Sequence, residues 1–527
     1  MSRDHGATAT LPRTNLHDLL AHAAARHPAA PALTDKDEAV AYGELWRIVR
    51  SAAAQLSRTG VGRGDRVGIY LEKRIETVAA IFATSLAGGV VVPINPVLKP
   101  MQVRHILQDS GARLLVTSTA RLGPLTPALA ETAVVDVIVV GGPAPADADP
   151  AVHAWEDAGD TRPVQAGAID IDPAAILYTS GSTGSPKGVV LSHRNLIAGA
   201  ESVSAYLGNT ADDVILSALP LSFDAGLSQI TTAFAVGAHV ILMNYLLPRE
   251  VPRLCELHGV TGITGVPPLW VQLADVAWPE RAARRLRYWA NTGGRMPRTV
   301  LDALRRTFPD AQPFLMYGLT EAFRSTFLDP AEIDRRPDSI GKAIPNAEIL
   351  VLRPDGTPCD PGEEGELVHR GALVGLGYWN DPERTAERYR PVDRPGQSWR
   401  SPELAVWSGD MVVADEEGFL YFVGRRDDMI KTSGYRVSPT EIEEAAFATG
   451  LVRDAVAVGV DDPRLGQRVV LVAAPTAAQL DADALALALR RLLPLYMVPA
   501  EIVARDDLPR SPNGKYDRGL IRAEVAG

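Results

Sequence analysis

The strongest constraint on the fold is an alternation. From residue 67 onward, strand-sized apolar runs trade places with helix-sized amphipathic ones. Residues 67–71 read as a strand, 77–87 as a helix and 89–93 as a strand again. Strand-length runs recur at 114–117, 135–140, 174–177, 215–218, 240–243, 262–266 and 314–317. Strands alternating with helices predict parallel sheets covered on both faces, an α/β fold. Ahead of them, 16–25 reads as a helix with Asn15 as its N-cap, and 42–58 as a second helix. Residues 144–150, rich in Ala, Asp and Pro, read as a surface loop. Near residue 338 the style changes. Short strands at 348–352 and 365–370, with turns at Pro354-Asp355-Gly356 and Glu416-Glu417-Gly418, predict a small all-β unit. After Gly424 comes a compact tail with a helix at 440–449, strands at 454–460 and 468–475, and a helix at 482–492. It reads as a separate α+β domain with its boundary near Asp427. At 527 residues the chain exceeds what one core supports, so two or more domains are expected.

Within this frame one loop carries chemistry. Residues 178–190 read YTSGSTGSPKGVV, small and hydroxyl-rich around Lys187. The apolar run 174–177 precedes the loop. Val189, Val190 and Leu191 follow it, then a helix from His193. Glycine lets backbone N–H groups approach phosphate oxygens, hydroxyls add donors and lysine adds a compact charge. The pattern G-x-x-x-x-G-K-[ST] is not met, because Pro186 precedes Lys187 and Gly188 follows it. This is a different phosphate loop. Flexible linkers seldom lie between two buried strands.

Composition excludes several classes. Net charge is −11, from 53 basic and 64 acidic residues, which argues against a general binder of nucleic acid or anionic membrane. The two cysteines, Cys255 and Cys359, are far apart and lack metal-ligand spacing, as expected of a reducing cytoplasm without disulfides. Residues 1–12 are polar, with no signal-peptide core, and no transmembrane span is expected.

Five further clusters are each weak alone. Tyr317-Gly318-Leu319-Thr320-Glu321 follows a predicted strand, offering a ring for a base and a carboxylate for magnesium. Trp407-Ser408-Gly409-Asp410 leaves an acceptor suited to a ribose diol. Gly424-Arg425-Arg426-Asp427 opens the boundary segment, and Gly434-Tyr435-Arg436 continues it. The run from Pro509 to Lys515 is an exposed turn bearing a lysine.

In this order and spacing, over 16–521, these runs resemble the adenylate-forming superfamily: acyl-CoA synthetases, peptide-synthetase adenylation domains and luciferases. Residues 316–326 and 334–347 resemble the AMP-forming acyl-CoA ligases associated with bacterial exosortase systems. The resemblance implies a large N-terminal domain, 1–426, with two parallel α/β subdomains and a small β-barrel. It also implies a smaller mobile α+β C-terminal domain, 427–527, hinged at Asp427. The enzyme would join a carboxylate to ATP, release pyrophosphate, rotate its small domain and let a thiol attack the acyl-adenylate.

Roles follow from the same resemblance. Thr179, Ser180, Gly181, Ser182, Thr183, Gly184 and Lys187 would hold the β- and γ-phosphates. Gly294, Arg295, Tyr317 and Gly318 would line the adenine pocket, partly by backbone. Thr320 would contact the α-phosphate, and Glu321 would bind Mg2+. Asp410 would accept from the ribose, with Arg425 beside it. Lys515 would bridge the attacking carboxylate and the α-phosphate. Lys431 and Arg436 match positions that face the site after rotation, and Gly434 the point where a pantetheine arm passes.

For the acid pocket, Phe223 matches the family's aromatic position. Asp224 has two open readings: in amino-acid adenylation domains this aspartate binds the α-ammonium, but an aspartate here also suits the N-terminus of a helix. Val266, Pro267, Leu269 and Trp270 are expected to wall the pocket, and Gly293 and Gly294 to leave room at its floor. No fused carrier domain is evident, so the acceptor, CoA or a phosphopantetheinyl carrier protein, is expected in trans. Two alternatives stay open: a stand-alone amino-acid adenylation enzyme loading a carrier protein, and a ligase acting on a non-thiol nucleophile. A homodimer is the default assembly.

Overall fold

A computed structural model describes residues 12–144, 150–156, 167–179, 186–392, 399, 401–425, 429–476, 479–509 and 516–526. Three sheets organise them. The first has eight strands. Its parallel part runs from Pro173–Thr179 through Val90–Pro93, Arg66–Tyr70, Leu114–Ser118 and Asp136–Val140 to Ala151–Ala154. Lys187–Ser192 and Gly377–Tyr378 extend it antiparallel at one edge.

The parallel part of the second sheet runs from Gln312–Tyr317 through Tyr288–Asn291, Gly262–Gly265, Val214–Ser217 and His239–Leu242 to Pro31–Asp35. Thr326–Leu328 and Ser339–Ala343 then continue it antiparallel into Leu420–Arg425, Leu404–Ala414, Glu364–Gly371 and Ala347–Leu352, the small β unit. Helices Tyr42–Arg58, Ile75–Leu86 and Asp224–Val236 fill the space between the sheets. One apolar core includes Val67 and Leu114 of the first sheet and Ile215 and Val240 of the second. Phe234 anchors it, with Phe82 at 5.2 Å and Tyr42 at 5.5 Å between ring centroids.

The tail is α+β. Its sheet pairs Val452–Asp462 with Gly466–Pro475, and adds Glu501–Ala504 and the hairpin Ile430–Thr432/Tyr435–Val437. Pro439–Ala448 and Ala482–Leu492 pack on it.

Two expectations need correction. The first helix starts at Asp18, and Asn15 does not cap it. Instead Asp18 folds back, its Oδ2 accepting the N–H groups of Thr14 and Asn15 at 2.8 Å each. The strand Tyr288–Asn291, central in its sheet, was not expected from the sequence. Of the loop expected at 144–150, residues 145–149 lie outside the described residues.

Two buried histidines set an acid limit to stability. His369, fully buried against the Ser325 hydroxyl at 2.9 Å, has its pKa lowered by burial to about 3. His193, whose Nδ1 accepts the Leu16 N–H at 3.0 Å, is lowered to about 4, mainly by burial. Both are neutral when folded and bind a proton more readily when unfolded, where the ordinary value of 6.5 applies. Stability is therefore full above that value and falls as pH drops below it, by about 1.4 kcal/mol per pH unit for each histidine down to its folded value. Denaturant midpoints at pH 7 and pH 5 check this. Equal midpoints would contradict it.

Candidate active site

A cavity of about 590 Å3 opens where the carboxyl ends of the parallel strands of both sheets meet, the usual place for a ligand in open α/β sheets. At one wall, the hairpin Pro173–Thr179/Lys187–Ser192 ends on the pair Thr179 and Lys187. The Thr179 hydroxyl is buried with no hydrogen-bond partner among the described residues.

Lys187 Nζ donates to Glu321 Oε1 at 3.2 Å and to the Tyr378 hydroxyl at 2.7 Å, and lies 4.0 Å from the Tyr378 ring centroid. Tyr378 in turn donates to Glu321 Oε1 at 2.6 Å. Burial opposes charge on Glu321, but Lys187, Arg436 and the Tyr378 hydroxyl outweigh it and hold the carboxyl well below the usual carboxylate range. Burial also lowers the Lys187 ammonium, despite Glu321. The cluster is thus a dry, charged pair whose partners need each other.

Glu321 sits in the short turn Thr320–Ala322, which ends in a strained step. Phe323 has φ 55° and ψ −53°, and the Arg324 N–H donates to the Ala322 carbonyl at 2.6 Å. This is a γ-turn of the rarer hand, costing about 1–3 kcal/mol for a residue with a side chain. Beyond it Arg324, 3 % exposed, reaches Asp224, with Nη1 3.3 Å from Oδ2. Asp224 is the first residue of the helix Asp224–Val236, one past Phe223 in the cap position, so it sits at the helix N-terminus without being the cap residue itself. Its Oδ1 accepts the Ala225 N–H at 2.7 Å. Burial raises the Asp224 pKa, Arg324 pulling the other way.

Phe223, Asp224, Val266, Leu269 and Gly293 line the cavity, together with Thr320 and Glu321. Trp270 does not, which corrects the expectation. The helix Pro267–Ala274 turns its indole into the core against Trp289, 5.3 Å between centroids. Pro267 packs toward Gly294, and Pro268 takes the pocket wall. Tyr317, beside Gly318, donates its hydroxyl to Asp410, which is buried and pairs across the sheet with Arg425. The Arg295 guanidinium, 73 % exposed, pairs at the surface with Asp338, its Nη2 2.6 Å from Oδ1.

The tail contributes directly. Ser433 (φ 53°) and Gly434 (φ 80°) make the two-residue turn of the hairpin that carries Lys431 and Arg436, and positive φ at both positions suits such a turn. Lys431, Gly434, Tyr435 and Arg436 line the cavity. The Tyr435 ring meets Phe223 edge-on at 5.2 Å and stacks on Tyr496 at 3.7 Å. Ser180, Gly181, Ser182, Thr183, Gly184, Asp427 and Lys515 lie outside the described residues, as does the Arg425 side chain. Sequence reasoning missed Tyr378 and Arg324. The only sign of Tyr378 was its place after the glycines Gly375 and Gly377. Arg324 lies three residues beyond Glu321 and carried no sign of its own.

Comparison with known proteins identifies the family. Residues 20–379 match the family described as AMP-binding enzyme, and 441–515 match the AMP-binding enzyme C-terminal domain. The chain belongs to this family, the adenylate-forming enzymes. It is 30 % identical to a long-chain-fatty-acid–CoA ligase of Salmonella typhimurium, over 97 % of this chain and 95 % of the relative. It is 31 % identical to an L-proline–[L-prolyl-carrier protein] ligase of Pseudomonas fluorescens, over 97 % and 99 %. Among solved structures, o-succinylbenzoate CoA synthetase of Bacillus subtilis shares 26 % identity with a TM-score of 0.82, over 96 % of this chain and 98 % of that one. No helix among the described residues is long and apolar enough to cross a membrane.

Proposed function

We propose that the chain is an AMP-forming acid–thiol ligase. It activates a carboxylic acid with ATP to an acyl-adenylate plus pyrophosphate, then passes the acyl group to the thiol of CoA or of a phosphopantetheinyl carrier protein. The observation that carries this reading is the Lys187–Tyr378–Glu321 cluster beside Thr179, at the mouth of the glycine-rich connection. A nearly buried lysine held, among the described residues, by one carboxylate and one hydroxyl can turn to a polyphosphate. The carboxylate it leaves then suits the magnesium ion that travels with ATP. One carboxylate is enough, because magnesium takes its other ligands from phosphates and water.

In this reading Thr179 and residues 180–184 cradle the β- and γ-phosphates with Lys187. Tyr317, Gly318 and the backbone at Gly294 and Arg295 hold the adenine, and Asp410 with Arg425 the ribose. Thr320 and Lys515 act at the α-phosphate. The domains divide at Asp427, the hinge. The hairpin tip at Gly434, with Lys431 and Arg436, serves thiol transfer, and its seat against Phe223 and Val266 supports that assignment. The cytoplasm supplies ATP and the acceptor. A second reading, an amino-acid adenylation enzyme, draws support from Asp224, a half-buried carboxylate on the pocket wall.

A panel of plain, aryl and amino acids assayed for pyrophosphate release, with and without CoA, tests the reading. ATP- and acid-dependent release is expected, with thioester appearing when the acceptor is supplied. AMP production without any acid dependence would sink it.

A further inference from the structure

One cation on the cavity wall takes no part in the site described so far. Lys73, 6 % exposed, lines the cavity just past the carboxyl end of the strand Arg66–Tyr70. Its Nζ donates across the seam between the sheets, to the carbonyls of Ser217 at 2.8 Å and Leu219 at 3.0 Å, at the carboxyl end of Val214–Ser217. The Asn244 amide fixes the backbone beneath it. Its Oδ1 accepts the Lys73 N–H at 2.9 Å and its Nδ2 donates to the Lys73 carbonyl at 2.8 Å. Groups of both sheets therefore hold this ammonium in place.

Charge sets Lys73 apart. Lys187 faces Glu321, Arg324 faces Asp224, and Arg121, also on the wall, takes Glu72. Among the described residues Lys73 has only the two carbonyls, so the third of its N–H donors has no protein acceptor. Burial lowers its pKa to about 7, with no carboxylate acting against that loss. Tying two carbonyls together needs no charge, since a neutral amide has two donors. Thr320 and Glu321 follow Gln312–Tyr317, three places along the second sheet from Val214–Ser217. At the usual strand spacing that is about 14 Å, which puts Lys73 at the far end of the cavity from the reacting group.

We infer that Lys73 is a specificity-determining residue whose ammonium takes a second, distal carboxylate of the acid, so that the enzyme favours dicarboxylic acids over alkyl acids of the same length. The inference rests on the acid-activating reading above. An anion at this end supplies the missing counter-charge and accepts the third N–H. An alkyl end strips the ammonium of water and returns nothing, so the penalty falls on the buried cation.

The test follows kcat/KM for pyrophosphate release with glutarate, adipate, suberate and sebacate. Each is compared with the acid in which an isopropyl group replaces the second carboxylate, and with its half-amide. At the best-fitting length, wild type should favour the diacid over its alkyl match by about 10²-fold or more, with the half-amide between them. In Lys73→Met the ratio should fall below about tenfold. Lys73→Gln, which can still reach for the carbonyls, should lose the ratio in the same way, and guards against a folding loss in the first variant. A lysine that only ties the sheets together would lower all acids alike and leave the ratio unmoved, which overturns the inference. So does a wild-type ratio near one at every length, or a half-amide used as well as its diacid. Calorimetric binding of the same acids separates the two claims. Selective binding of a diacid without any pyrophosphate release refutes the ligase reading and leaves the role of Lys73 standing. Selectivity in neither binding nor turnover overturns that role.

Discussion

Pyrophosphate exchange in a Lys515→Ala variant is expected to fall by about 10²–10³-fold, a loss of roughly 3–4 kcal/mol of transition-state stabilisation. Thioester formation from a chemically supplied acyl-adenylate should stay within a few-fold of wild type. The reasoning begins with charge. When a carboxylate attacks the α-phosphate, negative charge builds between two anionic groups, and a fixed ammonium there counts most in the transition state. Lys187 is engaged by Glu321 and Tyr378, and in the proposed reading it serves the β- and γ-phosphates rather than the attacked α-phosphate. In the arrangement described here the tail instead presents Lys431 and Arg436 to the cavity. If Lys515 serves the first step and Lys431 with Arg436 the second, as proposed, a loss confined to the first step is the signature of Lys515. Unchanged exchange would remove Lys515 from the adenylating machinery. Equal losses in both steps would place it in the structure of the tail.

What was legible in the sequence follows from what each signal measures. The helices Tyr42–Arg58 and Ala482–Leu492 lie where the pattern put them, because one polar and one apolar face decide a helix locally. Most inner strands of both parallel sheets were visible as apolar runs, since burial on both faces leaves little choice of residue, whereas the edge strands Pro31–Asp35 and Ala151–Ala154 were not read. Tyr288–Asn291 escaped because four residues between a basic segment and a glycine turn carry no period. Trp270 was misplaced for a related reason. An apolar residue beside a pocket and one behind it look alike until the helix phase is known. The pairings of Arg324 with Asp224 and of Tyr378 with Lys187 span 100 and 191 residues. Nothing local encodes such approaches. They arise where the sheets and the β unit meet.

Gly434→Leu should produce the converse of the Lys515 result: adenylation nearly intact, and thioester formation down by about 10²-fold, the scale of a displacement of about 1 Å at a reacting group. Gly434 has φ 80°, a backbone region that leucine adopts only under strain. A Cβ at this position would stand 2.7 Å from Val266 Cγ2 and 3.2 Å from its Cβ, so the turn must withdraw from the pocket wall. Withdrawal unseats Tyr435 from Phe223 and shifts Lys431 and Arg436 on the strands that flank the turn. None of these contacts is needed if the acid is adenylated with the tail turned away, as the proposed hinge at Asp427 requires. The half-reactions then separate cleanly. Adding Val266→Ala to Gly434→Leu removes the two Cγ atoms, the nearer of which the new Cβ would meet at 2.7 Å, and should recover part of the thioester rate, though not the share lost to backbone strain. Should adenylation fall as far as thioester formation, the turn would be a general support of the fold. Should neither fall, the thiol must reach the adenylate by a path that does not pass Gly434.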